Sequence, residues 1–182
     1  MNLKEFHDFV DGIYLLEGDG YENLSLNLER LSLREMLNFL EFYQMRRTQL
    51  CVPRHLAAAY LINEGVFDDE DFLVYTESIG MLPSKVFEDV SFDPNKLLDH
   101  IECKAILELD TYPFSAAIVK TGQKKFPIEW KRESKNILAK IPCLGIDGII
   151  RKNPGMDPFQ KKWIEMLIPR LFQIYSGKVS MG

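Results

Sequence analysis

Nearly every segment of this chain reads at helical period, and many of its apolar stripes follow residues that start helices, which leaves room for little except short packed helices. Ser32-Leu33-Arg34-Glu35 is a capping box: the Ser32 oxygen accepts an early amide and Glu35 reaches back. It opens a stripe of Leu33, Met36, Leu37, Leu40 and Tyr43. Pro53 suits the first turn of a helix carrying Leu56, Ala57, Tyr60 and Leu61. Asp68-Asp69-Glu70-Asp71 offers carboxylates to the unpaired amides and positive dipole end of the next helix. That helix buries Phe72, Tyr75 and Ile79 and stops at Gly80. Pro83 and Asp93-Pro94 start two short helices, burying Val86, Phe87 and Val90, then Leu97, Leu98 and Ile101. Asp157-Pro158 starts the last, with Phe159, Trp163, Met166 and Leu167, and Pro169 divides it before Leu171, Phe172 and Tyr175.

Other segments carry the helical period without such caps. Leu3, Phe6, Val10, Ile13 and Tyr14 predict an opening helix ending near Gly18-Asp19-Gly20, and Leu24, Leu28 and Leu31 a second. Residues 116–120 read as helix, stopped by Gly122. Ile128 to Ile141 reads as a basic amphipathic helix with Trp130, Ile137, Leu138 and Ile141 on its apolar side, closed by Pro142. Two stretches are ambiguous. Ile106-Leu107-Glu108-Leu109-Asp110 suits helix or strand, and the turn-rich residues 143–153 suit a short β-hairpin. With 182 residues, the expectation is a mainly α, single-domain irregular helical bundle over residues 1–182, with that hairpin as its strand element.

A family pattern runs through part of this. Ala57-Ala58-Ala59-Tyr60-Leu61-Ile62-Asn63-Glu64-Gly65, Phe67-Asp68-Asp69-Glu70-Asp71-Phe72, Tyr75, Gly80, Val86-Phe87 and Asp93-Pro94-Asn95-Lys96-Leu97 follow one another in order. The order resembles the bacterial family called domain of unknown function 4240. Trp163 to Phe172, with Pro169-Arg170-Leu171-Phe172, is similar to that family's closing element. The resemblance implies one helical domain and brings no activity. Glu64 departs from it by replacing the first glycine of a Gly-Gly pair, Val66-Phe67 by replacing small polar residues, and Tyr75-Thr76-Glu77 by lacking a tryptophan. Residues from about 128 to 156 form an insertion to which nothing carries over.

The residues argue against several chemistries. His7, His55 and His100 lie far apart without metal-ligand spacing, so no metal site is expected. Asp68 to Asp71 lack the alternating ligands and mid-loop glycine of a calcium loop. Neither a G-x-S-x-G elbow nor a phosphate-binding loop occurs, and no cofactor is expected. Cys51, Cys103 and Cys143 are odd in number and scattered, which suggests no disulfide framework and a reducing cytosol. No window approaches the roughly 18 apolar residues of a membrane span, and no apolar signal stretch follows Met1. The expected location is therefore the cytoplasm. Lys124-Lys125, Lys131-Arg132, Lys135 and Lys140, interleaved with Phe126 and Trp130, are the best nucleic-acid candidate. Those aromatics read better as core, and the acidic remainder would repel a polyanion.

Charge is divided along the chain: residues 1–119 carry a balance of −13 and residues 120–182 one of +8. Such polarity implies two oppositely charged faces unless folding interleaves them, and a functional acidic surface stands against the plainer reading that the charges solvate helix exteriors. The leading expectation is a non-catalytic immunity protein that covers the basic cleft of a secreted bacterial toxin. Its candidate contacts are Glu64, Asp68, Asp69, Glu70, Asp71 and Glu77. The alternative is a small-ligand receptor or hydrolase-type enzyme with a carboxylate-lined cleft, drawing on Glu64, Asp69 and Arg54. A deep pocket where carboxylates converge favours the alternative, and a flat or convex acidic face favours partner capture.

Overall fold

Local capping chemistry sets the best-defined helix starts. In the computed structural model, which describes residues 1–14, 20–108 and 114–179, α3 (Leu33–Gln49) opens at the Ser32 box. There Ser32 Oγ accepts from the Glu35 amide at 3.4 Å and Glu35 Oε2 from the Ser32 amide at 2.8 Å. At α5 (Asp69–Gly80), Asp68 Oδ1 accepts from the amides of Glu70 and Asp71 at 2.8 and 3.1 Å. Asp71 Oδ2 accepts in return from the Asp68 amide at 3.1 Å. Pro53 leads α4 (Pro53–Ile62), Pro83 caps α6 (Ser84–Phe92), and Asp93 caps a 3₁₀ turn over Pro94–Leu98.

The remaining helices are α1 (Leu3–Tyr14), α2 (Gly20–Leu28), α7 (Lys104–Leu107), α8 (Phe114–Lys125), α9 (Pro127–Lys140), α10 (Ile146–Lys152), α11 (Lys161–Leu167) and α12 (Pro169–Tyr175). Their apolar faces build two cores. The first joins α1, α2, α3, α8 and α9 through Phe6, Val10, Leu28, Phe39, Ile118 and Trp130. The second joins α4, α5, α6, α11 and α12 through Leu56, Phe72, Ile79, Phe87, Ile164 and Leu171. The Arg46 guanidinium ties one to the other. It donates to the carbonyls of Gly80 and Leu82 at 3.2 and 2.8 Å, with Phe6 on one side and Phe87 on the other. The segment read as an insertion serves both cores, since α9 buries Trp130 in the first and α10 buries Ile149 in the second.

The chain is mainly α-helical, as expected, and four local expectations need correcting. No strand occurs among the described residues: the 143–153 hairpin is replaced by α10, which puts Ile149 into the core at helical spacing. Gly122 does not stop a helix, because α8 continues to Lys125. Its missing side chain is a packing requirement instead, for a Cβ there would lie 2.2 Å from the Trp130 ring. Asp157-Pro158 forms a turn and the helix begins later, at Lys161. Ile101, expected in the core, is 79% exposed. The stop at Gly18-Asp19 and the ambiguous Leu109-Asp110 lie outside the described residues.

The opposed charges of the two halves meet across helices. Lys124 pairs with Glu29 at 2.7 Å, Lys178 with Glu64 at 3.3 Å, and Arg170 grips Asp99 through two bonds of 2.9 and 2.6 Å. That grip holds the Asp99 carboxyl far below the usual carboxylate range. Folding therefore interleaves part of the charge division.

Candidate functional site

The six acids expected to form one surface have separate roles. Asp68 and Asp71 cap α5. Asp69 Oδ1 accepts from the Ile146 amide at 2.8 Å and so fastens the start of α10. Glu64, in a left-handed backbone conformation (φ 56°), pairs with Lys178. Glu70 is exposed. Glu77 does not belong to any surface: it is 0% exposed, and α5 carries it inward toward α3 and α8. Nor do Glu64, Asp69 and Arg54 form a cleft, since the Arg54 guanidinium lies over the Phe92 ring.

Glu77 sits instead beside a cavity of about 340 Å³ between α3, α5, α8 and α9. Leu40, Tyr43, Leu73, Val119, Trp130 and Leu138 give it mostly apolar walls. Arg47 of α3 lines it beside Glu77, and both side chains are buried. Arg47 Nη1 lies 3.8 Å from Glu77 Oε1, close enough for charge attraction and too long for a hydrogen bond. Arg47 Nη1 donates to Gln44 Oε1 at 3.0 Å, and Glu77 Oε2 accepts from the Ser115 amide at 3.0 Å. Glu77 Oε1 and Arg47 Nε have no hydrogen-bond partner among the described residues. The exposed Lys131 and Lys135 also line the cavity.

This arrangement was only half visible in the sequence. Glu77 is the only charged residue between Phe72 and Pro83, a signal that α5 is buried on two faces. Nothing in the spacing of Arg47, Glu77, Ser115 and Trp130 announces that they share a cavity.

His55 is a fully buried polar group with hydrogen bonds on both sides of its ring. Its Nε2 donates to the Ser91 carbonyl at 3.1 Å, which leaves Nδ1 to accept from the Tyr75 hydroxyl at 3.0 Å. Burial pushes its pKa down to about 4. The folded protein thus holds His55 neutral where the unfolded chain, near 6.5, takes up a proton. Protons bind the unfolded state in that window, so stability falls as pH drops from about 6.5 toward 4. The expected loss from this group is roughly 2 kcal/mol between pH 7 and pH 5. Urea midpoints for the wild type and a His55→Gln variant check it; parallel pH profiles would remove His55 as the cause. Sealed from solvent, His55 has a structural role.

No family model matches the chain, and no curated protein or solved structure matches it. Among the described residues no cluster of three or more His, Cys, Asp or Glu is positioned to hold a metal ion, and no helix is long and apolar enough to cross a membrane.

Proposed function

We propose that this chain binds a small amphipathic molecule in the cavity between α3, α5, α8 and α9. The observation that carries the reading is the pair of buried, unpartnered polar atoms, Glu77 Oε1 and Arg47 Nε, on side chains that line the cavity. Buried groups left without a hydrogen bond cost about 1–3 kcal/mol each, more when charged, and a bound molecule bridging them would recover that cost. Leu40, Leu73, Val119 and Leu138 suit a hydrocarbon or aromatic body. Glu77 suits a donor such as an amine or hydroxyl. Arg47, with Lys131 and Lys135, suits an acidic group. The lining has one carboxylate and neither histidine nor cysteine, which supports binding without turnover. A cytoplasmic location and kinship with the domain of unknown function 4240 family belong to this proposal, and the kinship supplies no activity.

Calorimetric titration with a panel of small aromatic and aliphatic amino acids and hydroxy acids tests it. Binding is expected in the wild type, lost in Leu138→Trp, which fills the cavity from its half-exposed edge. Failure of every member to bind, with an ordinary water bridging Glu77 and Arg47 in a crystal, would sink the reading.

A second reading is capture of a basic protein partner, as by an immunity protein facing a secreted toxin. It is favoured by Val66, 84% exposed among the exposed acids Glu64, Asp68 and Glu70. Charge reversal at Glu64 and Glu70, neither of which caps α5, separates the two readings: it leaves cavity binding intact and would weaken partner capture.

A further inference from the structure

Two of the cysteines that are scattered in the sequence meet in the fold. Cys51 lies just beyond α3 and Cys143 between α9 and α10, and their sulfurs are 2.6 Å apart. That is closer than two unbonded sulfurs rest, and not far beyond the roughly 2.05 Å of a disulfide bond. Both segments are anchored independently of the thiols. Gln44 Nε2 donates to the Ile141 carbonyl at 2.9 Å, and the Ile146 amide donates to Asp69 at 2.8 Å, so the 141–146 stretch is held on either side of Cys143. The Cys51 amide donates to the Thr48 carbonyl at 3.2 Å, which holds its backbone to the end of α3.

We infer that Cys51 and Cys143 form a redox-responsive pair that closes to an intramolecular disulfide on meeting a small-molecule disulfide such as oxidised glutathione. The inference is independent of any ligand in the cavity. Cys143 is the half-exposed partner and Cys51 is 7% exposed, so Cys143 attacks first. A hydrogen bond from Cys51, with Arg47 nearby, pushes the Cys143 thiol down. The Cys143 thiolate forms a bond to one glutathione sulfur and expels the other as a thiolate. Cys51 then loses its proton and bonds to Cys143 Sγ, expelling the second glutathione. The two cysteines lose two protons and two electrons, and one glutathione disulfide becomes two glutathione thiols. The bond ties the end of α3 to the α9–α10 connection, across 92 residues of chain. Cys103 is fully buried and takes no part.

The test is to incubate the native protein with oxidised glutathione, quench with acid, unfold it and count free thiols. The count should fall from three to one, with a Cys51–Cys143 peptide pair in the digest and a melting temperature raised by about 5–10 °C. Excess dithiothreitol should reverse every change. Cys143→Ser should retain both of its thiols and show no shift. Three surviving wild-type thiols, a stable glutathione adduct on Cys143, or a bond between two chains would each overturn the inference. Digest mapping of the wild type decides this even if the serine variant folds poorly.

Discussion

Glu77→Ala should lose about 3–5 kcal/mol of unfolding free energy, because it leaves the Arg47 charge buried without its counter-ion. Arg47 is 5% exposed and lies over the Tyr43 ring, so it cannot turn to water without opening the contact between α3 and α5. Removing both charges is a different experiment. Arg47→Leu combined with Glu77→Leu should recover most of the loss, since a buried ion pair replaced by apolar residues of similar volume is often close to neutral. Urea unfolding of the two single variants and the double gives the coupling directly. A Glu77→Ala cost under about 1 kcal/mol would mean that Arg47 is solvated and that the pair is not what organises this region. The double variant also bears on function: stable and unable to bind the small molecule is the expected combination.

Trp130→Ala should cost about 3–5 kcal/mol, the usual range for truncating a fully buried tryptophan. The indole is 1% exposed and joins α9 to α8 and α3. It fits against Gly122 so closely that even a methyl group there would overlap the ring. Truncation therefore leaves a void bordered by a glycine, and a glycine has no side chain with which to fill it. Thermal unfolding should shift down by roughly 10 °C for a chain of this size. Hydrogen exchange should accelerate first in α9, whose outer face is charged and makes no core contact of its own. A melting temperature within about 2 °C of the wild type would show that α9 is held by its surface contacts instead.

What could be read before the structure follows the range of the interactions involved. The Ser32 and Asp68 caps link atoms no more than three residues apart, so the sequence alone carries their signal. Pro169 divides α11 from α12 for an equally local reason, its missing amide proton. Gly122 misleads because its backbone is ordinary helix, and what requires glycine there is a ring eight positions along the chain in the next helix. Residues 143–153 are rich in turn formers and still make a helix, because Ile149 is better buried there and Asp69 secures the helix start from elsewhere in the chain.

The candidate site is legible only in part, for the same reason. Glu77 is a lone charge in an apolar stretch, a signal that the grouping with Glu64 and Asp68 to Asp71 as one acidic surface overlooks. Whether a carboxylate lies outside or against Arg47 depends on how α5 rotates between α3 and α8, and that is decided by packing. Sequence by itself determined the helical class and where most helices begin, since capping and apolar period act within a few residues. The tertiary structure alone decided which charges were buried, which two thiols touched and where a cavity remained. Each of those depends on side chains dozens of positions apart, brought together only when the two cores close around α3 and α5.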